Sequence, residues 1–162
     1  MSAAGWRIAH ACAYRVAYPL VEPYRLSSGD LTEFDPILIE LRDADGRTGW
    51  GEALIIPGYT HESTEGSWQV ACLLAERAIG CTDAQAAAMA AEWLVPNPGV
   101  CSALLAALDM LRVDPLLVNP HQVRMPLLAP CQAHERQAIR DEVDRLVGQG
   151  FGTLKVKVGY DW

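Results

Sequence analysis

Apolar and polar positions alternate from the start of the chain. Trp6, Ile8, His10, Cys12, Tyr14, Val16 and Tyr18 fall on one side of an extended backbone, with Arg7, Ala9, Ala11, Ala13, Arg15 and Ala17 on the other. That period of two predicts a long strand, closed by Pro19. A loop from Leu20 to Phe34 follows, rich in turn residues such as Pro23, Ser27, Ser28, Gly29 and Asp30. Pro36 to Arg42 reads as a second strand, with Ile37, Ile39 and Leu41 on one face. Asp43-Ala44-Asp45-Gly46 supplies a hairpin turn, because Gly46 can take the positive φ that closes it. Thr48 to Ala53 returns as a third strand, completing an antiparallel meander.

The period then changes to that of helices. Trp68, Ala71, Cys72, Ala75, Ala78 and Ile79 share one helical face. Thr82-Asp83-Ala84-Gln85 has the form of a capping box and opens an alanine-rich helix ending near Trp93. Asn97-Pro98 starts a third helix, with asparagine as the cap and proline at the first helical position. Leu104, Leu105, Leu108 and Leu111 form its apolar stripe. Strands followed by helices predict an α+β domain over residues 1–118.

Residues 119–162 have a different grammar. Met125-Pro126-Leu127-Leu128-Ala129 suits a buried strand. His134 to Gln149 is amphipathic, with Ile139, Val143, Leu146 and Val147 inward, and Gly150 ends it as a left-handed cap. Thr153-Leu154-Lys155-Val156-Lys157-Val158-Gly159 reads as another strand. Strand, helix, strand in this order predicts a parallel crossover.

Composition narrows the classes. The 162 residues are 51% hydrophobic and 20% charged, values of an ordinary globular protein. A net charge of -7 without any basic run excludes a nucleic-acid surface and an anionic-membrane surface. Five widely spaced cysteines without a C-x-x-C pair predict reduced, mostly buried thiols, no metal site and a cytoplasmic protein. Neither a signal peptide nor a membrane span is predicted.

Lys155 and Lys157 carry the chemistry. Two apart on a strand, they project from one face, while Val156 and Val158 project from the other. Ammonium groups about 7 Å apart repel by about 2.4 kcal/mol at an effective dielectric near 20. That repulsion favours the neutral amine at one of the two lysines, the form a general base needs. Most K-x-K pairs only line a solvated strand face, so the surrounding crossover is what gives this pair weight. A second cluster is Gly49-Trp50-Gly51-Glu52-Ala53, where Gly51 allows close backbone approach. Pro57-Gly58-Tyr59-Thr60-His61-Glu62-Ser63 follows, with Thr60 as the expected helix N-cap.

Taken in order, these features resemble the enolase superfamily, and more closely its mandelate racemase and muconate lactonizing branch. The long first strand, Gly49-Trp50-Gly51-Glu52-Ala53 and the Tyr59–Ser63 stretch are similar to its capping domain. Asn97 to Leu111 resembles the last capping helix, and Lys155-Val156-Lys157 the lysine motif on the second barrel strand. The resemblance implies a capping domain over 1–118 and the start of a (β/α) barrel over 119–162. It implies that Lys157 moves the proton α to a substrate carboxylate, with Lys155 beside it lowering its pKa and orienting that carboxylate. Tyr24, Leu26, Ile55 and Tyr59, on two loops, are the implied substrate-lining residues. A muconate-lactonizing type is the first expectation for substrate, among lactones, succinylbenzoate, N-acylamino acids, dipeptides and sugar acids.

The sequence departs from the family in two ways. Met110-Leu111-Arg112-Val113-Asp114 lacks the glycine expected after that helix. A barrel needs roughly 250 residues, and Arg124 to Trp162 supplies 39. The family's Mg²⁺ ligands and opposing acid/base lie on later strands, so the expectation is a truncated, catalytically silent chain. The alternatives are a non-catalytic module for dimerisation or binding, and half of a split enzyme needing a complementary barrel chain. The uncovered apolar faces of Leu127, Leu128, Val156 and Val158 predict a tail that is poorly ordered, atypically packed or buried in a homo-oligomer.

Overall fold

The structure is a computed structural model that describes residues 6–26, 29–56, 58–118, 122 and 124–156. It divides into two compact units, residues 1–23 with 32–119, and residues 24–31 with 120–162. The division read from the sequence, 1–118 and 119–162, differs from this mainly in the segment 24–31.

Strand β1 (Ile8–Arg15), strand β4 (Ile37–Asp43) and strand β5 (Thr48–Ala53) form an antiparallel sheet in the order β1-β4-β5. Between β1 and β4 the chain makes a separate two-stranded sheet from β2 (Tyr18–Leu26) and β3 (Gly29–Phe34). This corrects the loop expected over Leu20–Phe34. Pro19 and Pro23 were the apparent breakers, but a two-stranded ribbon tolerates residues without an N–H donor on its open edges.

In β1 the register shifts between Ile8 and His10, a bulge that inserts one residue. Its consequence is a change of face. Ile8 is buried on one phase of the alternation, whereas Ala11 and Ala13, on the other, pack against the same core. Ile37, Ile39 and Leu41 of β4 are fully buried. Their register partners on β5 are Ala53, Gly51 and Gly49. Large side chains on the central strand and almost none on its neighbour leave a trough in the sheet. Helix α3 (Pro98–Arg112) lies in it, burying Val100, Ala103, Leu104, Ala107, Leu108 and Leu111. The approach is close: a Cβ on Gly49 would sit 2.0 Å from the Ala107 carbonyl oxygen, and one on Gly51 1.7 Å from that of Ala103.

Helix α1 (Thr64–Ala78) is capped by Ser63, whose hydroxyl accepts from the Gly66 N–H at 3.1 Å, and not by Thr60 as expected. Its buried face is Ser67, Ala71, Leu74, Ala75 and Ala78. Cys72 and Ile79, placed on that face by the sequence, are exposed. Leu74 decides the rotation, because burying it fully turns Cys72 and Ile79 to the flank. Helix α2 (Asp83–Trp93) has the reciprocal capping box between Thr82 and Gln85. Of the five cysteines only Cys101 and Cys131 are buried, so the expectation of mostly buried thiols is corrected; all five are free.

Helix α3 ends in a Schellman turn. The Val113 N–H donates to Met110 O at 3.1 Å and the Asp114 N–H to Asp109 O at 3.0 Å. The left-handed residue of this turn is Val113, at φ 56, where glycine is the natural occupant. A β-branched residue there stores about 1 kcal/mol of strain. Val113→Gly is therefore expected to raise stability by about 1 kcal/mol, read as a higher Tm in thermal denaturation. An unchanged or lowered Tm would count against the strain.

At the outer edge of β5, the Trp50 N–H donates to the Met110 thioether at 3.3 Å. On the sheet face away from α3, Tyr14 OH donates to Glu40 Oε2 at 2.7 Å and Arg42 Nη2 to Glu40 Oε1 at 2.7 Å. The Glu40 carboxylate, held low by the Tyr14 and Arg42 hydrogen bonds, in turn pushes the Tyr14 phenol up to about 12.

The second unit contains β6 (Leu128–Cys131), helix α4 (Arg136–Gly148) and β7 (Thr153–Val156), with β6 and β7 parallel. The strand expected at Met125–Ala129 is displaced toward the C-terminus. Met125 and Leu127 are exposed, and the buried face belongs to Ala129 and Cys131. On α4, Leu146 is buried but Val147 is exposed, correcting its inward assignment. Gly150 adopts φ 93 after the helix, as a left-handed cap requires.

Candidate active site

The parallel pair sorts its side chains by alternation. The Cys131 thiol donates to Glu142 of α4 at 3.2 Å, so the Cys131 face is the one that the helix covers. Ala129 shares that face, and the register puts Leu154 opposite it and Val156 opposite Cys131. Leu128 and Pro130, partnered by Thr153 and Lys155, belong to the other face, which α4 does not cover. Lys155 is exposed there, in the last turns of the alternation before the strand's carboxyl end. Lys157 and Val158 lie outside the described residues.

Glu142 organises the segment that follows β6. Its Oε2 accepts from Gln132 N at 2.9 Å and Ala133 N at 2.8 Å as well as from Cys131. Burial pushes this carboxylate up, but the hydrogen bonds from Ala133, Cys131 and Gln132 outweigh it and hold it below the ordinary range. In α/β architectures the segments after strand ends are where ligands are bound, so a fixed backbone there is a useful floor.

The substrate-lining residues implied by the resemblance divide between the units. Tyr24 and Leu26 lie on β2, both half-buried. Ile55 and Tyr59 line an open cleft of about 250 Å³ in the first unit, with Leu54, Ile56, Thr60, Glu62, Pro98, Gly99 and Ser102. Their roles in it differ. Ile55 is 6% exposed and belongs to the core, forming a fixed wall, whereas Tyr59 is 70% exposed at the mouth. Glu62 is a buried carboxylate in this cleft. It accepts from the Gly99 N–H at 3.0 Å and from the Thr60 hydroxyl at 3.0 Å, serving as a remote cap for α3.

Among the described residues no group of three or more His, Cys, Asp or Glu side chains is placed to hold a metal ion. The donor set described here does not fit Mg²⁺. Among them also, no helix is long and apolar enough to cross a membrane.

No protein-family model matches the chain. A curated hydrophobic dipeptide epimerase from Citrifermentans bemidjiense is 25% identical over 96% of this chain and 46% of its own length. A solved mandelate racemase/muconate lactonizing protein from Herpetosiphon aurantiacus superposes with a TM-score of 0.78 at 21% identity, over 94% of this chain and 45% of that one. A dipeptide epimerase from Cytophaga hutchinsonii, solved with Mg and a dipeptide, gives 0.79 at 22% identity, over 94% and 44%. The fold is that of the enolase superfamily. Within it, the strands and helices of the first unit correspond to the N-terminal capping domain. The chain spans about half the length of the relatives it matches.

Proposed function

We propose that this chain supplies the capping unit and the first strand–helix–strand of an enolase-superfamily enzyme that moves a proton α to a carboxylate. The reaction is racemisation or epimerisation, and a dipeptide with apolar side chains is the favoured substrate. This displaces a muconate-type acid from first place because the curated relative aligned over nearly the whole chain is a hydrophobic dipeptide epimerase. The observation that carries the reading is Lys155 on the uncovered face of the parallel pair, where a barrel has its interior. Lys157 takes or returns the proton. Lys155 stabilises the neutral amine of Lys157 and orients the substrate carboxylate. In the first unit, Leu54, Ile56 and Tyr59 line an apolar cleft on the loop before α1.

Mg²⁺ would supply electrophilic stabilisation of developing negative charge, and holding it would need carboxylates that the described residues do not bring together. The chain's own part is proton transfer and substrate lining. The remaining barrel strands come from further residues or from a complementary chain, and the 162 residues alone are expected to be silent. The test is deuterium incorporation at the α-carbon of an apolar dipeptide in D₂O, followed by NMR. It is run on the chain alone and on the chain completed by the barrel of a dipeptide epimerase. Exchange is expected only in the completed protein, and Lys157→Ala should abolish it. No exchange after completion, or undiminished exchange in that variant, would overturn the reading.

A second reading draws on Met125, Leu127, Leu128 and Val156, all exposed. These suit a non-catalytic unit for dimerisation or binding. It requires self-association of the chain in sedimentation and no exchange in any combination.

A further inference from the structure

We infer that the cleft beside the start of α3 is a binding site for a small primary ammonium ion with an apolar body, held by the Glu62 carboxylate. The cleft lies wholly within the first unit, so the inference does not depend on proton transfer at Lys157.

Glu62 is 8% exposed, yet none of the ion pairs among the described residues includes it. The adjacent His61 is engaged elsewhere, its Nε2 lying 3.1 Å from Pro96 O. A carboxylate buried to this depth ordinarily has a cation as partner. Its present bonds do not replace one. Oε1 accepts from Gly99 N at 3.0 Å and Oε2 from the Thr60 hydroxyl at 3.0 Å, which fills two of about four lone-pair positions. The start of α3 offsets about half a unit of charge. Negative charge therefore remains, on a deep residue of an open cleft.

The surroundings select the kind of cation. One carboxylate among apolar walls does not make the oxygen cage of a metal ion, and no metal-holding group occurs among the described residues. Leu54, Ile56 and Pro98 suit a hydrocarbon body, and the Tyr59 ring, 70% exposed at the mouth, offers its face to a cation or its alkyl stem. An ammonium group donates hydrogen bonds and accepts none. The open lone pairs of Glu62 and the exposed Ser102 hydroxyl answer that need. Gly99 keeps the carboxylate within reach. A Cβ there would lie 2.6 Å from Ile55 Cδ1 and 3.2 and 3.4 Å from the two Glu62 oxygens, covering the charge. The cleft measures about 250 Å³. At about 30 Å³ per water-sized group, it holds a ligand of about eight non-hydrogen atoms.

The probe is 3-methylbutylamine, titrated into the 162-residue chain by calorimetry and by amide NMR. Saturable binding is expected, with shifts concentrated at Tyr59, Gly99 and Ser102. The neutral isostere 3-methylbutanol should bind about tenfold more weakly. Glu62→Gln keeps an acceptor for the Gly99 N–H while removing the charge, and should weaken the amine about tenfold with Tm preserved. Should that variant fail to fold, Tyr59→Ala at the exposed mouth is the second test, expected to weaken binding several-fold. Absence of saturable binding overturns the proposal, as do shifts confined to other residues. Equal affinity for the alcohol shows an apolar cleft without charge recognition and overturns it too, as does undiminished affinity in a folded variant. An acetylated lysine peptide that binds more tightly than the free amine overturns the assignment to a small molecule.

Discussion

Gly51→Ala is expected to destabilise the first unit by more than about 4 kcal/mol, enough to abolish cooperative folding in many domains of this size. The reason is backbone, not side chain. The added methyl would lie 1.7 Å from the Ala103 carbonyl oxygen and 2.6 Å from its carbon, and neither atom can swing aside as a side-chain tip would. Helix α3 must lift from β5 by more than an ångström, and Leu104, Leu108 and Ile39, all fully buried, then lose their contacts. Gly148→Ala is the control: that glycine ends helix α4 with nothing within 4 Å of an added Cβ, so the change should be neutral or mildly stabilising. Urea denaturation followed by circular dichroism measures both. A Gly51→Ala chain within about 1 kcal/mol of the parent would show that α3 does not depend on this approach.

Removing the Asp43 carboxylate should cost about 2 kcal/mol. Asp43 is 3% exposed at the turn between β4 and β5. Its Oδ1 accepts from Asp45 N at 3.0 Å and Arg47 N at 2.9 Å, and its Oδ2 from Arg47 Nε at 2.6 Å. The figure stays modest because the Arg47 side chain is 45% exposed and its charge is partly screened. Burial alone would push Asp43 up, but the Arg47 and Asp45 bonds prevail and hold it below the ordinary carboxylate range. A carboxylate lowered in the folded state adds stability above its unfolded value and loses it as pH falls through the folded one. The loss therefore belongs to the range below about pH 4. Stability measured from pH 6 downward should drop through that window, and Asp43→Asn should make the drop shallower. Glu40, also lowered, keeps it from vanishing. An Asp43→Asn chain with an unaltered acid limb would refute the assignment.

Much of the meander was legible because alternation and an Asp-Gly turn are local signals. The β2–β3 ribbon was not, since Pro19 and Pro23 carry a breaker signal that only an open strand edge cancels. The displacement of β6 has a similar cause: Leu127-Leu128 looks like the core, but the helix-covered face belongs to the smaller Ala129 and Cys131. At the site, the facing of Lys155 follows from a period of two. Glu62 and Glu142 were invisible because their meaning lies in distant backbone. Glu62 caps an amide 37 residues away, and Glu142 fixes amides 10 and 9 residues before it. Nothing local distinguishes such carboxylates from solvated ones.

The sulfur that Met110 seats on β5 has a bearing on behaviour in concentrated solution. A rim strand with idle amides invites foreign strands to zip on, and this rim carries glycines that give no steric defence. With the Trp50 amide already engaged by a thioether, one docking peg on this rim is occupied. On the opposite rim, Ile8 is engaged through its bonds to Gly80 and Cys81. Each margin of the sheet therefore has one point at which its backbone is already engaged by the fold itself.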